Sequence, residues 1–153
     1  MTEIAFLASS KPFLIPAEIE EYNNRRIFER EEDAVFFTVW ELDEYWKRKI
    51  EGLFTMPYVY EVHGLGNRLF LTYVEKYLEM GDVIEIYAVP NQHAFDEYRQ
   101  HTLSHPEPVE INIGSRTYKD MYGSYKLNPK RLRGDLGSRN YISHFGIATF
   151  LNY

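Results

Sequence analysis

The chain has 153 residues, 44% of them hydrophobic and 16% aromatic, with no cysteine and a formal net charge of −6. That length fits one domain, 1–153, with a core large enough to stand without staples. The missing cysteines exclude disulfides, thiolate nucleophiles and every Cys-containing zinc site. Charge is unevenly placed: residues 1–110 carry 21 acids against 10 bases, and residues 111–153 carry 2 against 7. The basic C-terminal third is either an anion-binding face or a segment that lies against the acidic remainder.

MTEIAFLASSKPF, at the start, has an acid ahead of a short apolar run and no basic lead. No secretory signal is expected there, and no apolar run approaches the roughly 18 residues of a membrane span. The expected setting is a reducing cytoplasm, with no membrane partner.

Ile4–Ala8 is a continuous apolar run bounded by Ser-Ser-Lys-Pro, which predicts a buried strand. PAEIEEYNNRRIF has Pro at a first helical position, Glu in its opening turns and Arg near its end, matching the helix dipole. AVFFTVW (Ala34–Trp40) is apolar on both faces, so a central strand is expected. LDEYWKRKI sets Leu42, Tyr45, Trp46 and Ile50 at helical spacing, and YVYEV (Tyr58–Val62) reads as the next strand.

NRLFLTYVEKYLEMG carries Phe70, Tyr73, Val74 and Tyr77 on one stripe and reads as a helix stopped by Gly81, although its first half also fits a strand. DVIEIYAV is a strand, and Pro90-Asn91 opens a helix that ends before Pro106. VEINI alternates as a half-exposed strand with Val109, Ile111 and Ile113 inward. Gly-punctuated turns follow, with a strand at SYKL, a short helix after Pro129, and a long final strand YISHFGIATFLNY running to Tyr153. The expected fold is α+β (mixed α/β), a single mixed sheet of about five to seven strands with helices packed on it.

Three stretches suggest anion chemistry. GSRTY at 114–118 returns as GSRNY at 137–141. Each Gly-Ser suits a tight turn, Arg116 and Arg139 could fork onto a phosphate or carboxylate, and Tyr118 and Tyr141 could stack a ligand's ring. Lys119, Lys126, Lys130, Arg131 and Arg133 would add general attraction for phosphate. VHGLGNRLF leads a strand through Gly64 and Gly66 to Asn67, a helix-capping type, and Arg68; such a loop offers backbone N–H groups to an anion. It departs from a dinucleotide fingerprint, because Leu69 stands at the third glycine position and Glu85 lies inside its strand. Ser9, Ser10 and Lys11 follow the first strand, where open α/β sheets often place ligands.

His101 and His105, with Glu97 one turn before, could share a helix stripe, but Pro106 pulls His105 out of helical geometry, and no metal site is expected. His144 reads as a buried, hydrogen-bonded structural histidine. No nucleophile-elbow or zinc-protease motif occurs, and no cofactor is expected. The leading expectation is a small cytosolic binding or regulatory domain, non-enzymatic, that contacts an anionic small molecule, nucleotide or acidic partner. Overall acidity counts against a dedicated nucleic-acid binder. One alternative is a protein-interaction module of inhibitor or immunity type with an acidic aromatic face. Another is a nucleotide-using enzyme built on the GLGNR loop.

Overall fold

A computed structural model describes residues 3–25, 35–137, 141–142 and 144–153. They form one mixed sheet of eight strands, in the order β2-β3-β1-β4-β8-β5-β6-β7, and five α-helices. The fold class agrees with the sequence expectation, and the strand count exceeds it because the turn-rich segment after Asn112 folds into two strands, not one.

The continuous apolar runs become the sheet's centre. β1 (Ile4–Ser9) is buried at all six residues and pairs antiparallel with β3 (Tyr58–His63) and β4 (Val83–Val89). Alternate side chains feed opposite faces, as strand geometry requires. Ala5, Leu7, Ile84 and Ile86 enter a core under α1 (Ala17–Asn23), α3 (Arg68–Lys76) and α5 (Leu132–Gly137). Ile4, Phe6, Tyr87 and Val89 enter a second core with Trp46 of α2 (Glu44–Lys49) and Phe95 of α4 (Phe95–Ser104). A 3₁₀ turn at Gln92–Ala94 leads into α4, with the Asn91 side chain capping it.

The larger core is an aromatic cluster. Phe37 packs edge-on to Phe70 at 5.5 Å and to Phe13 at 6.0 Å, and Phe70 meets Phe150 at 5.4 Å. Such edge-to-face pairs add about 0.5–1.5 kcal/mol each beyond burial. Asn23, at the end of α1, fixes Phe37 from both sides: its Nδ2 donates to the Phe37 carbonyl at 2.8 Å and its Oδ1 accepts the Phe37 N–H at 2.9 Å.

Two elements differ from the sequence reading. β2 (Thr38–Glu41) is an edge strand, not a central one. Its apolar content is accounted for without a second strand neighbour: Phe37 is held by Asn23, and Trp40, 48% exposed, stands edge-on over His63 at 4.2 Å. Part of the AVFFTVW run, Ala34, lies outside the described residues, as does the second half of the NNRRIF helix reading.

The final strand is also shorter. β8 spans Ala148–Leu151 alone. Tyr141 turns into the core against Phe150 at 5.3 Å, and His144 and Phe145 lie in a turn. Half-buried His144 sets its Nδ1 2.9 Å from the Ala88 carbonyl, while its own carbonyl accepts the Tyr87 hydroxyl. α3 stops at Lys76, ahead of Gly81; that glycine, at φ 91°, serves the turn into β4. RLFLTYVEK is helical throughout, because Asn67 caps it and its stripe meets the core.

β8 pairs antiparallel with β4 and parallel with β5 (Val109–Asn112), and so joins two parts of the sheet. Beyond β5 lie β6 (Thr117–Asp120) and β7 (Gly123–Lys126), a hairpin at the far edge.

Gly64 gives a direct check of the β3–α3 connection. Its φ is 96°, and a Cβ there would run into the Phe36 carbonyl. Gly64→Ala should lower stability by about 2–3 kcal/mol, from strain plus displacement of that carbonyl. Gly134 lies in α5 facing open space, so Gly134→Ala should raise stability by about 0.5–1 kcal/mol. Urea unfolding of both variants checks the contrast.

Burial pushes the Tyr73 hydroxyl up to about 12, with the Asp82 carboxylate adding to the effect. The folded state therefore keeps this proton when the unfolded chain, titrating near 10, has lost it. The contribution is intact below about pH 10 and fades as pH rises toward 12. The urea midpoint should fall across that window, and less steeply in Tyr73→Phe.

Candidate functional site

The hairpin loop between β5 and β6 places Arg116 at φ 57°, the one non-glycine residue with positive φ among those described. That left-handed backbone costs an L-residue about 1–2 kcal/mol and is the usual seat of glycine. Its carbonyl accepts the Leu127 N–H at 2.7 Å, which locks the loop to the chain leaving β7. The exposed side chain lines a hollow of about 440 Å³ with Ile113, Lys130, Leu132, Arg133 and Glu75.

Three cations thus face one carboxylate in this hollow. Glu75 is taken by Arg133, whose Nε donates to it at 2.9 Å, while an Nη of the same guanidinium donates to Thr72 Oγ1. Arg133 is held in place on the outer face of α3. Among the described residues, neither the Arg116 guanidinium nor the Lys130 ammonium has an ion pair or a hydrogen bond. Two open cations beside a fixed one make a donor-rich wall suited to phosphate or carboxylate oxygens.

Arg133 also borders a second, smaller hollow with Glu18, Tyr22, Arg68 and Thr72. The Arg68 guanidinium stands 5.4 Å from the Tyr22 ring centre, and Arg25 stands over the same ring at 4.5 Å. Glu18 is bound up locally: the Tyr77 hydroxyl donates to it at 2.6 Å and Lys76 at 3.0 Å. The Tyr77 hydrogen bond, then Lys76, holds its carboxyl below the usual carboxylate range, and the same bond raises Tyr77.

The other sequence candidates are dispersed. Arg139 lies outside the described residues, so its meeting with Arg116 is not seen. Tyr141 is buried, only 1% exposed, and packs on Phe150. Tyr118 is half-buried, in register with Ile111 and packed against the larger core, with Tyr125 beside it. Lys119 pairs in register with Glu110 and lines a shallow pocket on the opposite face with Thr149 and Met121. The Lys126 ammonium donates to the Ser115 carbonyl. Lys119 and Lys126 therefore do not share the Arg116 hollow.

Gly64 and Gly66 are turn residues, at φ 96° and 79°. Asn67 accepts the Leu69 and Phe70 N–H groups at 3.0 Å and donates to the Phe36 carbonyl at 2.7 Å. The donors that a phosphate would have used are filled by this cap. Ser9 is buried, and its hydroxyl accepts the Lys11 N–H. Ser10 exchanges hydrogen bonds with the Val83 backbone. Lys11 pairs with Asp82 at 3.0 Å and Glu79 at 3.4 Å, and the Asp82 hydrogen bond raises its pKa.

His101 and His105 stand 5.8 Å apart, ring to ring, with His101 packed on Phe145. Among the described residues, no group of three or more His, Asp or Glu is placed to hold a metal ion. No helix among them is long and apolar enough to cross a membrane. Glu75 and Thr72 were not legible as site residues, although Arg68, Thr72 and Glu75 recur at the i, i+4, i+7 spacing of one exposed helix face. Comparison with protein-family models, with curated proteins and with solved structures finds no match.

Asn67→Ala should cost about 1–2 kcal/mol, from the lost cap and the lost Asn67 bond to the Phe36 carbonyl. Thermal unfolding beside Asn67→Ser, which keeps the cap acceptor and loses the Phe36 bond, separates the two contributions.

Proposed function

We propose that this chain is a small, non-enzymatic binding domain that takes an anionic group at the hollow of Arg116, Lys130 and Arg133. One observation carries the reading: a side chain set on a left-handed backbone, where glycine is the easy choice, presents a guanidinium with no partner among the described residues to a hollow whose third cation is already fixed by Glu75 and Thr72. Strain of this kind at an exposed cation is retained where the side chain has a task. The ligand classes that fit are phosphates and carboxylates, met by forked N–H donors. The neighbouring Tyr22–Arg68 hollow gives room for a second anionic group or a flat organic portion of the same ligand.

A second reading rests on a different surface. Trp40 and Tyr45, 48% and 61% exposed, stand on the α2 side of β2 with Glu44 and Glu61. That acidic aromatic face suits a basic protein partner.

Arg116→Gly tests the first reading, because glycine relieves the left-handed backbone while adding chain entropy; the fold should change by less than about 0.5 kcal/mol. At low salt, inorganic tripolyphosphate at a hundred times its Kd should raise the wild-type melting midpoint by about 5–10 °C. The rise should shrink at high salt, vanish in Arg116→Gly and persist in Lys119→Ala. No shift in the wild type, or an equal shift in Arg116→Gly, contradicts the reading.

A further inference from the structure

β7 ends the sheet. Met121 and Tyr122 form a two-residue turn between the paired Asp120 and Gly123, and the Asp120 carboxylate caps it by accepting the Tyr122 and Gly123 N–H groups at 2.8 and 3.1 Å. In an antiparallel pair, alternate residues turn their backbone groups toward the partner strand. The Leu127 N–H donates to Arg116, which fixes the phase: Gly123, Tyr125 and Leu127 bond inward. The N–H and C=O groups of Ser124 and Lys126 therefore point away from the sheet. Among the described residues, no strand pairs with that side of β7.

Edge strands are commonly blunted by proline, by bulges or by inward charges. This one is blunted by its shortness and by Lys126, and exposed apolar side chains stand beside it. Tyr122 is 80% exposed, with Met121 and Tyr125 more than half exposed beside it. Lys126 on β7 and Lys119 on the adjoining β6 project from the same face of this edge. Of the acids placed near it, Asp120 is occupied in the turn and Glu110 lies opposite Lys119, two strands in from the edge. A second copy of β7 pairing with this one would bring like charges together. An acidic strand would meet opposite charge, open backbone groups and an aromatic platform at once.

The geometry points to β7 as a docking edge for an extended, acidic segment of a partner protein, which adds a ninth strand to the sheet. Ser124 and Lys126 exchange main-chain hydrogen bonds with that segment. Lys119 and Lys126 take its carboxylates, and Tyr122 covers its apolar side chains. This surface is separate from the Arg116 hollow, and the two stand or fall independently.

The test uses the full chain and two labelled synthetic peptides, an eight-residue Glu-Val repeat and its Lys-Val counterpart, in fluorescence anisotropy. The Glu-Val peptide should bind at least tenfold more tightly than the Lys-Val peptide at low salt and weaken at least tenfold in 0.3 M salt. Ser124→Pro, which removes an outward donor at a position where edge strands tolerate proline, should weaken binding at least tenfold, as should Tyr122→Ser. Arg116→Gly should bind the peptide as the wild type does. Equal affinity for the two peptides, or wild-type affinity in both β7 variants with their melting unchanged, overturns the proposal.

Discussion

The architecture depends on where β8 inserts. Its four residues pair with β4 on one side and β5 on the other, and among the described residues no other strand joins β2-β3-β1-β4 to β5-β6-β7. Ala148 and Phe150 point into the larger core, so the junction is tied by packing as well as by its ladder. A close backbone approach permits this insertion: a Cβ on Gly146 would run into the Glu107 carbonyl, just ahead of β5. The same placement carries the β6–β7 hairpin to the edge of the sheet opposite β2. The basic segment is thereby divided between this edge, where Lys119 lies opposite Glu110, and the Arg116 hollow, where Arg133 is bound to Glu75.

Within that basic segment, neighbouring cations have different chemical situations. Arg133 is tied to Glu75 and Thr72, and Lys126 to the Ser115 carbonyl. Among the described residues, Arg116 and Lys130 are open. A fixed guanidinium beside two adaptable cations lets a ligand be placed by the first and neutralised by the others, and the ordering cost falls on only two side chains. Lys11 shows the contrasting case, a cation next to a strand end that is consumed by Asp82 and Glu79. Exposure and charge type are alike in the two places; the supply of nearby carboxylates differs.

The parts of the fold legible in the sequence are those set by local pattern. The unbroken apolar run of β1, the alternation of β5, and the capped stripe of α3 each follow from side-chain periodicity, and each is present. Strand order is not a local property, so AVFFTVW read as central when it is an edge: nothing local says that Asn23 will hold Phe37 and His63 will support Trp40. The last strand was overdrawn because Tyr141 and Ile142 are apolar for a different reason, filling the core ahead of the Gly146 turn. The site was partly legible. The echo of GSRTY and GSRNY drew notice to Arg116, but the two copies begin in different structures, Gly114 in a hairpin loop and Gly137 at the end of α5, and Tyr118 and Tyr141 have unlike surroundings. Lys130 and Arg133 stood out by charge. Their convergence with Glu75 depends on α5 lying beside α3, which no spacing in the chain reveals.

The central claim is that an anion settles between Arg116 and Arg133. Anomalous diffraction from crystals soaked in selenate, at low ionic strength, measures this directly. The account predicts a selenium peak within hydrogen-bonding distance of both guanidinium groups, with Lys130 turned toward it. A difference map empty at this hollow while selenate occupies other basic positions on the same molecule would contradict it.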